Sequence, residues 1–259
     1  MKVIGPVSAL TLALTGSSIA ADMNNPVVPE NQPVAAQGWT VTAAPYFWMA
    51  GISGNVAQFG SPTVSIDRSF SDIFDDLKFG GMVLGEARNG PFSIVGDLIY
   101  TKMASDRGTS RGIVASKVAV SSETFTGFLG AGYAVVDSDP LRLDVIGGAR
   151  LWSVDTDIAI SGGILDDQTF HDGATWVDAM AGLRLNYSLT PKLFLTGWSF
   201  VGAGAADVDW DVAGAVGYHI SDRFSALVGY RALGVDYEKG SFVFDIVQQG
   251  PILGLTMQF

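Results

Sequence analysis

The chain has no cysteine in 259 residues. Disulfide staples, thiolate nucleophiles and sulfur-ligated metal sites are therefore excluded. Histidine is almost as scarce, with only His171 and His219 present. A hydrolase that needs an imidazole beside its nucleophile has very little to draw on. Basic residues are also few: 15 Lys and Arg stand against 26 Asp and Glu, for a formal net charge of −11. That balance argues against nucleic acid, which selects basic faces. Charged residues of both signs make up only 16% of the chain, where soluble domains carry about 25%. No apolar run approaches the ~20 residues that a membrane-spanning helix needs.

What the chain does have is apolar surface. Hydrophobic residues reach 48%, and mean hydropathy is +0.31. Without spanning helices, such a chain either buries a large soluble core or sets apolar residues on alternate strand positions facing lipid. The 32 Gly and the alternation described below favour the second arrangement. The last stretch is the plainest example. Leu253, Leu255, Met257 and Phe259 share one face, and Gly254, Thr256 and Gln258 share the other. Period two is strand periodicity. A bare apolar edge strand invites aggregation in water, whereas a closed barrel in lipid pairs both edges.

At the other end, Met1-Lys2, an apolar Val3–Leu14 and the small residues of Ser18-Ile19-Ala20 have the pattern of a secretory signal cleaved after Ala20. Residues 21–37, with Asn24-Asn25-Pro26, Pro29 and Pro33, read as a flexible periplasmic leader. Residues 38–259 are then the barrel.

Four connections carry tight-turn chemistry: Asn89-Gly90-Pro91, Asp137-Ser138-Asp139-Pro140, Thr190-Pro191 and Ser221-Asp222. Between them lie variable connections at 57–77, 104–116, 161–173, 206–207 and 239–240. Outer-membrane barrels keep short turns in the periplasm and longer loops outside. The fold class expected is therefore all-β, an antiparallel up-and-down transmembrane β-barrel. About ten strands are expected, at 39–56, 79–88, 92–103, 118–136, 141–160, 175–189, 193–205, 208–220, 223–238 and 241–259, with both ends periplasmic. Eight to twelve remain open. Thr63-Val64-Ser65-Ile66 could add a hairpin through 51–60, and 69–77 reads as a capped helical turn with Phe70, Ile73, Phe74 and Leu77 on one face.

Alternation separates a lipid side from a lumen side. Leu141, Leu143, Val145, Ala149 and Leu151 oppose Arg142, Asp144 and Arg150. Val177, Ala179, Ala181, Leu183 and Leu185 oppose Asp178 and Arg184. Trp210, Val212 and Val216 oppose Asp209 and Asp211. An Arg facing mid-bilayer lipid costs about 2–4 kcal/mol, so this segregation points to a polar interior. The expected lumen charge network is Glu86, Arg88, Asp97, Arg142, Asp144, Arg150, Asp178, Arg184 and Arg231. Aromatics near the strand ends suggest interfacial girdles. Trp39, Phe92, Tyr133, Tyr187, Phe194, Tyr218, Phe224 and Phe259 would lie at the turn end. Trp48, Tyr100, Trp152, Trp176, Phe200, Trp210 and Tyr237 would lie at the other.

Ala44-Pro45-Tyr46-Phe47-Trp48 through Gly54, Phe79 through Tyr100, and Gly229-Tyr230-Arg231 through Phe259 resemble proteobacterial outer-membrane barrels of the OmpA-transmembrane and opacity-like kind. The resemblance implies a cell outer-membrane location; the expected departure is that nothing remains after Phe259 for a peptidoglycan-binding domain, so a wall-anchoring role is not implied. The resemblance also implies partners in outer-membrane lipid and lipopolysaccharide. A closing strand that ends in Phe259 resembles the signal read by the barrel insertion machinery.

Chemistry is thinly supplied. Asp155, Asp157, Asp207, Asp209 and Asp211, with His171, could form a hydrolase rim. Asp166, Asp167, His171 and Asp172 could hold a divalent cation through oxygen, but a solvated loop explains them as well. His219 beside Ser221 reads as a surface histidine. Gly127 to Gly132 lie mid-strand with no helix following, so they are not a phosphate loop. No enzyme activity, cofactor or metal is expected. The leading expectation is a structural or surface protein whose narrow lumen is mostly filled by paired charges. A small-solute pore, an outer-membrane hydrolase and a soluble ligand-carrying barrel are the alternatives.

Overall fold

The computed structural model describes residues 38–108, 117–162 and 168–259. The segments expected to be a signal (1–20) and a leader (21–37), Asp166, Asp167 and residues 109–116 of one connection lie outside the described residues.

In chain order the elements are β1 (Thr40–Trp48), β2 (Gly51–Ala57), β3 (Val64–Arg68), α1 (Phe70–Asp76), β4 (Leu77–Asn89), β5 (Phe92–Gly108), β6 (Lys117–Ser138), β7 (Leu141–Ser161), β8 (Gln168–Ser188), β9 (Leu193–Gly204), β10 (Val208–His219), β11 (Phe224–Lys239) and β12 (Phe242–Gln258). Each strand from β4 to β12 pairs antiparallel with the next, and β1 joins β4 to β12. Ten strands thus close the barrel, and β2 and β3 form a further hairpin. Closure leaves these ten strands without a free edge. The 51–66 hairpin and the short helix, both open from sequence, are present.

The turns follow from their residues. Gly90, at φ +55°, makes the two-residue reversal between Asn89 and Phe92, which pair directly. Ser69 caps α1: its side chain accepts from the Asp72 N–H, and the Asp72 carboxylate accepts the Ser69 N–H. The pair satisfies two helix-terminal donors reciprocally.

Along β10 burial alternates strictly from Asp209 to Gly217, with odd positions inward and even positions outward. Leu183 is 48% exposed, whereas its neighbour Arg184 has a side chain only 11% exposed. Apolar outside and charged inside is the reverse of a soluble protein. An exposed apolar surface this continuous is stable only against lipid. On β5 it runs from Phe92 through Ile94 and Leu98 to Tyr100, about 27 Å along the strand at ~3.4 Å per residue. Phe92 packs on Tyr133 at the turn end, and Phe79 packs on Tyr100 at the loop end.

The aromatic girdle expected at the loop end is corrected. Trp48, Trp152, Trp176, Phe200 and Tyr237 are all buried and point into the barrel. They lie near strand ends, as their positions suggested, but their parity is that of the lumen-facing residues. At the turn end the expected ring does face outward, through Trp39, Phe92, Tyr133, Tyr187, Tyr218, Phe224 and Phe259. Phe194 is the exception: it lies in the lumen, stacked on His219 at 4.7 Å.

Candidate functional site

Among the described residues the lumen collects most of the buried charges, and it is organised in tiers. In the middle tier Arg231 from β11 and Arg150 from β7 meet Asp211 and Asp209 from β10 and Asp97 from β5. Arg231 donates to Asp211 through Nε (3.0 Å) and Nη2 (2.7 Å), and Nη2 also reaches Asp97 at 2.6 Å. Its Nη1 donates to the Tyr46 hydroxyl at 2.7 Å, and that hydroxyl donates to Asp97 at 2.8 Å. Arg150 donates to Asp209 at 2.5 Å and to Asp211 at 2.7 Å. Indole N–H groups complete the carboxylates: Trp152 donates to Asp209 at 2.9 Å, and Trp198 donates to Asp211 at 3.0 Å. Aromatic faces cover the guanidiniums, with Trp48 at 5.2 Å and Trp198 at 5.4 Å from the Arg231 carbon. Charges that are paired and also hydrogen-bonded can sit in a dry interior. Both arginines and both β10 carboxylates are essentially inaccessible.

The tier at the turn end is separate and wetter. Arg88 Nη2 lies 2.5 Å from Glu86. Arg184 stands 2.9 Å from Glu86, an ion pair that falls short of hydrogen-bond alignment. Arg142 binds Asp144, Asp137 and the Gly90 carbonyl. The tier at the loop end is aromatic. Trp176 lies between Tyr237 (4.0 Å) and Trp152 (5.8 Å), nearly parallel to both, with Phe244 edge-on. Asp178 is buried beneath the β9–β10 connection, where Oδ1 accepts the Ala206 N–H at 2.8 Å.

The nine lumen charges expected from sequence are therefore brought together as two groups rather than one network. Glu86, Arg88 and Arg184 meet at the turn end, where Arg142 and Asp144 form a neighbouring pair. Asp97, Arg150 and Arg231 meet at mid-height, and Asp178 joins neither group through a hydrogen bond. The residues that sequence reasoning left out are Asp209, Asp211, Tyr46, Trp152 and Trp198. The parity of Asp209 and Asp211 placed them inside the barrel. Their arginine partners, 59 and 20 positions away, carry no local signal.

Cavities lie on either side of the middle tier. At the turn end a space of about 330 Å³ is bounded by Tyr46, Glu86, Arg184, Trp198, His219 and Arg231. At the loop end a space of about 350 Å³ is bounded by Tyr46, Trp48, Ile52, Met82, Ile99 and Val154. Tyr46 borders both. Between Asp97, Phe128, Trp198, Phe200 and Asp211 the free space is about 10 Å³, the volume that one water needs.

The hydrolase rim does not assemble. Asp155 and Asp157 point outward, above the apolar band, beside His171, whose Nδ1 lies 2.9 Å from Asp157 and Nε2 3.8 Å from Asp155. Asp209 and Asp211 point inward to the arginines, and Asp207 lies exposed in the β9–β10 connection. The hydrogen bond to Asp157 holds the His171 imidazolium, so its pKa is raised from the ordinary histidine value. Asp172 accepts the Phe59 N–H, and among the described residues no group of three or more His, Asp or Glu is placed to hold a metal ion.

Neither a protein-family model nor a curated protein matches the chain by sequence. Solved structures do match by shape. The outer-membrane protease OmpT from Escherichia coli superposes with a TM-score of 0.50 at 10% identity, over 86% of this chain and 98% of that one. A major outer membrane protein from Thermus thermophilus gives 0.41 at 14% identity, over 85% and 99%. Ail, the attachment invasion locus protein of Yersinia pestis, gives 0.37 at 11% identity, over 86% and 99%. With its closed antiparallel wall, apolar exterior and charged interior, this chain has the fold of the outer-membrane β-barrels.

Proposed function

We propose that the protein is a non-conducting barrel of the cell outer membrane that acts at its external face and not by passing solutes through its lumen. Residues 1–20 direct export and are removed. The four tight turns and both chain ends face the periplasm. The apolar wall meets lipid, and the loop end meets lipopolysaccharide and the surroundings. Phe259, which is 77% exposed and whose N–H donates to the Val41 carbonyl at 2.8 Å, presents the closing strand to the insertion machinery.

One observation carries this reading: the Asp97–Arg231–Asp211–Arg150–Asp209 tier crosses the lumen as one hydrogen-bonded chain, with both arginines, Asp209 and Asp211 essentially inaccessible. A pore needs sites that solute can enter and leave. Here the charges satisfy one another. The hydrolase reading is disfavoured by the placement of the rim carboxylates on opposite faces of the wall. Planar-bilayer recording of the purified barrel is the test. The reading expects a silent membrane, and uniform conductance steps would overturn it in favour of a pore.

A further inference from the structure

The wall is not equally sealed all round. β1 pairs with β4 only from Thr40↔Arg88 to Pro45↔Val83. Beyond Pro45 the chain leaves β4 and continues as β2, which takes β3 as its neighbour from Ile52↔Arg68 to Val56↔Val64. β4 runs on alone toward Leu77, paired only with β5. A seam therefore separates β3 from the loop-end half of β4. It begins at Val83↔Leu98, two positions before Tyr100 at the edge of the apolar band. What lies over it is α1, none of whose residues is buried. Phe70, Ile73 and Leu77 face the cavity behind it. Phe47 meets Phe70 edge-on at 5.9 Å, and Phe74 is 54% exposed.

We propose that the loop-end cavity is a binding site for a single alkyl chain, with α1 as its movable cover. The cavity measures about 350 Å³, within the range of small-ligand sites. Its surface is mostly apolar, through residues such as Ile52, Val56, Ile66, Met82, Ile99 and Val154, with the hydroxyl side chains of Thr101, Ser122, Thr124, Thr126 and Thr156 beside them. Apolar walls gain from an apolar occupant. Arg68 and Asp76 stand at its mouth, where a polar head group would remain wet. The floor is closed by Tyr46 and Trp48, so a chain that enters stops there. Two sources share this chemistry: the acyl chain of a lipid entering through the seam, and a free amphiphile entering from the loop end.

The proposal rests on the barrel standing in a bilayer, and the experiment separates the two. The full barrel is reconstituted in phosphatidylcholine vesicles. In one arm the lipid carries a diazirine at the end of an acyl chain. In the other a diazirine-bearing dodecanoic acid is added from solution. After photolysis, mass spectrometry maps the adducts. Outward residues such as Val145, Leu183 and Leu253 should label with the lipid probe, which reports the barrel reading alone. Adducts at the inward residues Met82, Ile99 and Met103 support the alkyl site. The lipid arm alone identifies the seam as the route, and the acid arm alone identifies the mouth. Ile99→Trp, which takes up part of the cavity, should weaken the inward adducts while the outward ones persist. Outward labelling with no inward adduct in either arm overturns the proposal. Inward adducts undiminished in Ile99→Trp overturn it as well.

Discussion

Arg231 and Asp211 meet on adjacent strands at the centre of the barrel, with the guanidinium forked onto both carboxylate oxygens at 3.0 and 2.7 Å. Removing one partner leaves the other charge buried and short of donors. Arg231→Met is therefore expected to cost about 3–5 kcal/mol, because Asp97 and Asp211 both lose it. The check is the urea midpoint of barrels folded in vesicles, read by the mobility of the unheated protein on a gel. A loss below about 1 kcal/mol, the range of an exposed ion pair, would show that the tier does not act as a structural unit.

Tyr46 is the partition between the two cavities, held by Arg231 and Asp97. Tyr46→Ala removes the ring that borders both spaces. The variant is expected to stay silent in planar bilayers, like the parent, because the arginine–carboxylate tier beside the ring still crosses the lumen. Conductance steps in Tyr46→Ala that disappear when the ring is restored as Phe would place the barrier in the ring rather than in the tier.

Much of this architecture was legible because a barrel wall repeats one local rule. Leu183 beside Arg184 identifies outside and inside without knowledge of any contact. The same parity contained information that a reading by position alone passed over. Asp155 and Asp157 share the parity of the lipid-facing Leu151, and Trp152 shares that of Arg150. The rim carboxylates could therefore have been divided, and the loop-end tryptophans moved inside. The pairing of Arg150 with Asp209 was not legible, since it depends on which strands face one another across the lumen. Nor was the seam beside α1. It arises because β1 stops following β4 at Pro45, a question of tertiary register.

Gly250 marks the place where β1 gives way to β2. A Cβ there would stand 2.0 Å from the Met49 carbonyl oxygen, and the neighbouring Met49 N–H donates to Pro251 at 2.9 Å. The obstacle is backbone, so it cannot swing aside as a flexible side chain would. Gly250→Ala is expected to destabilise the barrel by about 1–3 kcal/mol, the usual cost of overpacking. Amide exchange should rise first along Phe47 to Gly51. Gly90→Ala is the contrasting control. It meets no atom within 4 Å, and its strain comes only from the positive φ.

The cover over the seam can be loosened without touching the wall. Ser69→Ala removes the acceptor for the Asp72 N–H at 3.3 Å and the hydroxyl bonded to Asp72 at 2.7 Å. Loss of such a cap costs about 0.5–2 kcal/mol of helix stability. Hydrogen exchange is expected to accelerate across Phe70–Asp76, with β7 and β8 unchanged and the global urea midpoint unmoved. Exchange that rises equally in all strands would mean that α1 is part of the barrel's cooperative core rather than a separate cover.

His171 gives the loop end a pH response. Its pKa is raised first by the hydrogen bond to Asp157 and then by the charges of Asp157, Asp155 and Asp172, with burial opposing. A folded-state value above the unfolded one, about 6.5, means that the protonated ring favours the folded β7–β8 tip. That contribution is fully present below the unfolded value and is lost as pH rises through the folded one. Amide exchange at Asp157–Ser161 and Gln168–Asp172 is therefore expected to speed up with pH beyond its intrinsic dependence in that window. Asp157→Asn should return the His171 ring titration, followed by NMR, toward the ordinary value and remove the extra pH dependence. Equal His171 midpoints in the parent and in Asp157→Asn would show that the contact at the tip does not hold the proton.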